Sequence, residues 1–423
     1  MKKYYLQLPI TIITIFFLQG CVKDSLKTTY TYYMPVYESK TQVLQNIKSA
    51  APQPLQNTGK LFLLGNYIFI NEINKGVHII DNSNPASPKN VSFISIPGNI
   101  DIAVKNNTLY ADLYTDMVTL DISNTANVSL KKVTPAVFPE RDYANGFASD
   151  STKYIVDWKK GETTDKRDLQ QNELMNPSVL WTSSSQPQIN ASMSSGKVGV
   201  SGSMARFTIV NNYLYTVGRS DLTSYNISTS INPVRENVKS LGWNIETIYP
   251  FKDKLFIGSQ TGMSVYSIAD PSNPSFLSNF SHACFNDPVI ADEQYAYVTL
   301  RAVANATPCR GITAAQTNEL DIVNVSNIMQ PSLVKIYNMV EPKGLSKDGD
   351  YLFICDGKAG LKVYNAADVQ NLKLIKTIDS INPFDIICQS GNAIVVADEG
   401  IYQFDYSNIQ NIKMISKISI DKR

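Results

Sequence analysis

Two sets of charged side chains recur along this 423-residue chain at the ends of short β-patterned runs. Asp101, Arg206, Glu246, Asp287 and Asp385 stand near the start of one class of run. Glu72, Asp112, Asp157, Arg301, Asp356 and Asp398 close a second class. Where neighbouring runs are antiparallel, the start of the first and the end of the second share one face. That face then carries a mainly acidic rim with two arginines. Clustered carboxylates can hold Ca²⁺ or Mg²⁺ through oxygen ligands, or receive a cationic ligand. Two of them with split pKa values can also divide acid and base roles. Asp101, Arg206, Asp287, Arg301, Asp356, Asp385 and Asp398 are the candidate ligand-binding set. Ca²⁺ is the only cofactor the pattern suggests, and no residue is assigned a catalytic role. The competing reading is solvated loop ends and ion pairs between neighbouring repeats.

Other constellations are thin. The chain has two histidines, His78 inside an apolar run and His282 in a turn beside Cys284. A histidine-rich metal centre is excluded, and a Ser-His-Asp triad must use one of these two. There is no GxSxG elbow and no glycine-rich phosphate loop before a helix. The Ser-rich stretch from Ser183 to Ser203 reads as a flexible loop. Net charge is +1, with no basic run interleaved with aromatics, which argues against a nucleic-acid partner. Trp158, Trp181 and Trp243 could stack on a glycan, although Trp158 and Trp243 sit at strand ends, where aromatic packing is the ordinary use.

The elements that must position these residues announce themselves through a column of short polar side chains. Asp81, Asp121, Asn226, Ser267, Asn324, Asn365 and Asp405 each close an apolar run, such as GVHIID, GLKVYN or IYQFD. Their spacing stays near 40 residues except for gaps of 105 and 57. A fixed period of this size, built from short strands, is the signature of a β-propeller. The column itself reads as turn chemistry, since such side chains bond nearby backbone amides. Apolar content of 43% and charged content of 18% suit a chain with a buried core. Units fall near 59–97, 98–134, 135–200, 201–240, 241–281, 282–338, 339–378 and 379–420. The expectation is an all-β chain: one propeller of eight blades, each with four antiparallel strands, or of seven if the third unit forms no blade. Long insertions are expected near 159–197 and 302–317, leaving from one face.

The N-terminus carries a separate signal. Lys2 and Lys3 precede an apolar stretch from Tyr4 to Leu18, followed by Leu18-Gln19-Gly20-Cys21. A basic start, a short apolar region and a small residue before a cut make a secretory signal. The last four residues resemble the lipobox of bacterial lipoproteins. That resemblance implies removal of residues 1–20 and attachment of lipid to Cys21, hence a membrane partner. Residues 21–58 then form a tether with one strand, TYTYYMPVY. No acidic residue directly follows Cys21, and Lys23-Asp24 is similar to the export tag of Bacteroidetes surface lipoproteins. An outer-membrane location follows, in either leaflet. In that oxidising setting Cys284 and Cys309 are expected to form a disulfide, and Cys355 and Cys388 to be buried free thiols.

The runs GVHIIDNSNPASPKN, FISIPGNIDIAVKNNTLYADLY, GMSVYSIADPSNPSFL and LFICDGKAGLKVYN resemble the LVIVD-repeat β-propeller proteins, in particular lipid-anchored Bacteroidetes members. The resemblance spans about Gly59 to Ile420 and weakens in the third unit. It implies the fold and no particular chemistry. The expected role is a binding or interaction module of the cell envelope for a protein, peptide or glycan. The alternatives are a polysaccharide hydrolase or lyase using the acidic face, or an accessory subunit of an outer-membrane complex.

Overall fold

Seven antiparallel blade sheets follow one another along the chain, each built on four strands of consecutive sequence. The first is widened to six strands by Lys48–Ala50 at its outer edge and Val200–Ser201 at its inner edge. The structure is a computed structural model, and it describes residues 25–139, 143–144, 147–148, 152–168, 200–242, 244–282, 288–301 and 318–421. The innermost strands are Thr58–Leu64, Ile102–Lys105, Phe207–Val210, Ile245–Phe251, Val289–Ala291, Leu345–Asp348 and Pro383–Gln389, and they define blades 1 to 7 in that order. Each innermost strand packs on the next, and the last packs on the first, so the ring is closed. Second and third strands are buried on both faces because each blade is sandwiched between two others. Tyr67–Glu72 and Gly76–Asp81 show one intermediate or exposed residue each, at the strand end. The outermost strands, such as Ser332–Asn338, lie mostly exposed.

The expectation of eight blades is corrected to seven. The third unit, 135–200, supplies no blade. Its run KYIVDW belongs to Lys153–Asp168, which pairs with Ser25–Ser39 in a two-stranded ribbon. Most of that ribbon, up to Val36 and from Asp157, is a compact unit of its own. Among the described residues that follow the ribbon, Val200–Ser201 joins the propeller sheets on the inner edge of blade 1. The first ten residues of the insertion expected near 159–197, Lys159 to Asp168, are therefore strand. The second insertion does lie between the second and third strands of a blade, since Arg301 and Asn318 flank residues 302–317 in blade 5.

Ring closure uses no shared strand. Leu55 and Ile420 form a parallel bridge, and the Asp421 amide donates to the Leu55 carbonyl at 2.7 Å. Neighbouring blades are tied by side chains reaching the next blade's outer turn. Tyr110 donates to the Ser230 carbonyl, Tyr215 to Pro271 and Tyr337 to Val369, at 2.7 to 2.9 Å. The fourth strand of every blade carries a register shift against the third, and in blade 1 Lys48–Ala50 covers that fourth strand's outer edge. Such bulges twist an edge away from further pairing.

The polar column has the turn role that its recurrence suggests. In all seven blades its side-chain oxygen accepts the backbone N–H two residues on. Asp81, Asp121, Asn226, Asn324, Asn365 and Asp405 do so at 2.9 Å and Ser267 at 3.2 Å. Replacing Asn365 by Ala should therefore cost about 1 kcal/mol, the ordinary worth of one such bond. Asp405→Ala should destabilise in the same direction. Urea midpoints measure both, and unchanged stability at both sites would contradict the turn-fixing role.

Candidate functional site at the axial channel

A ring of blades leaves a channel on its axis, and here the chain fills its own channel. Val200 and Ser201 pair antiparallel with Leu63 and Phe62, and the Gly202 amide donates to the Leu61 carbonyl at 3.0 Å. Because this segment runs against the innermost strand of blade 1, it climbs the axis toward the face where innermost strands begin. Ser203 Oγ accepts from the Leu345 amide in blade 6, and the Ser203 amide donates to Asp385 in blade 7. The Ala205 carbonyl accepts from Ile248 in blade 4 at 2.9 Å. The Arg206 amide donates to Asp101, at the start of blade 2, at 2.7 Å. The chain then turns at Phe207 into the innermost strand of blade 3. Seven residues thus touch blades 1, 2, 4, 6 and 7 before entering blade 3.

Around this axial segment the structure gathers three of the predicted residues, Asp101, Arg206 and Asp385, with one that the sequence reading missed, Lys60. Their relative exposures are 1, 9, 1 and 6%, so all four are buried. Lys60 Nζ lies 3.2 Å from Asp101 Oδ2, while the Ile102 amide holds Asp101 Oδ1 at 2.8 Å. Asp385 accepts from the Ile386 amide at 2.9 Å. The cleft lined by Lys60, Asp101, Gly202, Ala205 and Asp385 has no room for a water molecule. A Cβ added at Gly202 would stand 2.0 Å from Asp385 Oδ2, and one at Gly344 would stand 2.7 Å from Oδ1. Glycines press on the carboxylate from two sides.

Burial dominates the electrostatics here. It pushes Asp385 up to about 8, against the amides of Ile386 and Ser203 and the charge of Lys60. It also raises Asp101, against the pull of Lys60. Lys60 falls to about 7, again through burial, with Asp101 opposing the fall and Arg206 adding to it. A group in a dry interior favours its neutral form unless pairing offsets the lost hydration. Burial therefore favours the protonated form of Asp385.

The remaining predicted carboxylates are scattered and mostly engaged by the backbone. Glu72 accepts from the Gln56 and Asn57 amides at 3.1 and 2.7 Å and faces His78 Nε2 at 3.0 Å. Burial alone would raise Glu72, but these bonds together hold it below its ordinary value. Asp112 accepts from the Ile100 and Asp101 amides, each at 2.8 Å. Asp356 accepts from Val340 and Glu341 at 2.9 and 2.8 Å and pairs with Lys362. In three blades, then, a carboxylate ending the second strand clamps the loop that leads into the innermost strand. Asp398 receives the Asn382 side-chain amide at 2.7 Å, and Glu246 that of Gln260 at 3.1 Å. Arg301 stands apart from the axial group, its Nη1 4.0 Å from Glu341, which also meets Lys343 at 3.1 Å. Asp157 is exposed on the ribbon. Asp287, Cys21, Cys284 and Cys309 lie outside the described residues. Cys355 and Cys388 are buried free thiols, and burial raises both well above the usual thiol value. Among the described residues no three acidic, histidine or cysteine side chains converge as metal ligands.

Two outcomes test this account of the axis. A Cβ at Gly202 collides with Asp385, so Gly202→Ala should cost about 3 kcal/mol, the upper range for overpacking. Unaltered thermal stability would show that the axial segment is not tightly seated. The second concerns pH. Asp385 has a folded pKa above its unfolded one, so the folded state holds its proton across the interval between them. Its stabilising contribution is complete below the unfolded value near 4 and is lost as pH rises toward about 8. Lys60, with a depressed pKa, acts oppositely above about 7 in both proteins. Asp385→Asn cannot titrate, so its stability relative to wild type should rise between pH 5 and pH 8. Urea unfolding at both pH values checks this, and a constant difference would refute it.

Comparison with known proteins follows the architecture. The LVIVD repeat profile matches residues 57–93, 99–134 and 313–339. These matches take in blades 1 and 2 and the outer half of blade 5. No curated protein sequence matches the chain. Among solved structures, a protein from Lactobacillus plantarum is 10% identical, with a TM-score of 0.54, over 86% of this chain and 97% of that one. The computationally designed Ika8 protein is 9% identical, with a TM-score of 0.51, covering 89% and 92%. Saccharomyces cerevisiae Sqt1 is 7% identical, with a TM-score of 0.50, covering 89% of each chain. At such identities the likeness concerns the fold alone, and folds of this kind host unrelated functions. The chain is a seven-bladed β-propeller that carries LVIVD repeats.

Proposed function

We propose that this chain is an exported, lipid-anchored binding module of the cell envelope, held at the outer membrane through Cys21. Its partner is a protein, peptide or glycan that meets the face where innermost strands begin. The supporting observation is the closed axis. Segment Val200–Arg206 fills the channel, and the carboxylates beside it are taken up by amides and Lys60. A hydrolase or lyase using Asp101 and Asp385 needs space for a sugar and a water beside them, and the cleft that these two residues line has no room for a water. Recognition must then use loops carried on the rigid ring, which is the usual division of labour in such scaffolds. The 302–317 insertion leaves from this face, beside Arg301 and Glu341. The leader and the Cys21 motif support export and anchoring.

Two measurements test the reading. Metabolic labelling with palmitate should mark the wild-type chain and not Cys21→Ala. Crosslinking on intact envelopes should capture a specific partner, and replacing residues 303–316 by a short Gly-Ser linker should abolish that capture while the melting temperature stays unchanged. Retained capture would remove the insertion from the binding surface, and absence of label on wild type would remove the anchor.

A further inference from the structure

The ribbon of Ser25–Ser39 and Lys153–Asp168 carries an unusual set of exposed side chains. Tyr30, Tyr32 and Met34 are 44, 43 and 49% exposed. They alternate along one strand and so share one face of the ribbon. Gly161 lies beneath Tyr32, where an added Cβ would approach the ring to 2.4 Å. Only glycine lets that ring lie across the partner strand, which flattens the face. The opposite face holds Tyr33 and Tyr37 with Pro35 between them.

We propose that the Tyr30–Tyr32–Met34 face rests in the headgroup layer of the membrane to which Cys21 is attached. This rests on the lipid-anchor reading above. Ser25 stands four positions after Cys21, a span of at most about 14 Å when fully extended. A lipid on Cys21 therefore holds the start of the ribbon within reach of the bilayer surface. Tyrosine suits that layer, because its ring is apolar while its hydroxyl stays hydrated. Tethering makes the contact intramolecular, so a face of weak intrinsic affinity is enough.

The molecule supplies its own controls, since Met329 and Met414 on the propeller rim are each 58% exposed. Wild-type protein bearing its N-terminal lipid is reconstituted in phosphatidylethanolamine and phosphatidylglycerol vesicles (3:1) and briefly oxidised with hydrogen peroxide. Mass spectrometry then follows sulfoxide formation at the three methionines. Met34 should oxidise at least about fivefold more slowly than Met329 and Met414, because sulfoxide formation tracks exposure. Equal rates on protein whose N-terminal peptide carries the acyl mass would overturn the inference and leave the anchor standing. Protection that disappears when the lipid-to-protein ratio is raised would indicate a second copy, and would also overturn it. An unacylated N-terminal peptide would instead sink the anchor reading, and this inference with it.

Discussion

The structure depends on how the axis of the ring is filled. Seven twisted sheets meeting at their innermost strands leave a polar channel, and whatever enters it must satisfy backbone groups in a dry place. An extended segment of the same chain does so here. Its amides go to Leu61, Asp385 and Asp101, and its oxygens accept from Leu345 and Ile248. Blades 1 and 7 close on each other through apolar packing and the short bridge at Leu55, without the shared strand that could lock a ring. The axial segment is therefore an element that bonds to blade 1 and to blades 6 and 7 at once. Closure and channel filling are one event.

Register makes this arrangement specific. A one-residue slip of the axial segment would bring Ser201 or Ser203 opposite Asp385, where no Cβ fits. The buried charges act in the same sense. Lys60 and Asp101 are costly to desolvate and repay the cost only when correctly paired. A misplaced segment would withdraw the Arg206 amide from Asp101 and leave that carboxylate underbonded. Glycine on one side and paired charge on the other exclude alternative seatings more than they add stability.

Much of this was legible in the sequence, though not by counting periods. The 40-residue period gives blades, and the polar column predicts the turn at each. That column has seven members, one for every blade that forms. The third unit rests on the runs YANGFAS and KYIVDW, and a run such as KYIVDW fits a ribbon strand as well as a blade strand. A side chain that every blade requires is the better counter. The carboxylates at strand ends were visible too, but sequence cannot tell a solvated rim from a clamp. Glu72, Asp112 and Asp356 each hold two consecutive amides, a role set by the path of the preceding loop. Lys60 sits in the apolar run GKLFLL, and a lysine inside such a run signals a buried partner. The Gly-Ser composition around Gly202 suggests a loop by the same rules that let a strand pass through a narrow channel. Small residues serve both, and only the neighbours decide.

The closed axis also bears on where binding energy can arise. A propeller with an open channel can surround a small ligand, whereas among the described residues here the axial cleft beside Asp101 and Asp385 has no room for a water. Its rigid parts present bulged, mostly lysine-bearing edges such as KLIKTI and KMISKIS, which resist strand addition. Blade 4 departs from that pattern, since SFLSNFS carries no charge and exposes Phe276. On the binding-module proposal, specific contact falls to segments that the repeat does not dictate, namely the insertion flanked by Arg301 and the ribbon that includes Lys153–Asp168. The repeat spends its sequence on closing the ring, and the departures from the repeat are where selection for a partner is free to act.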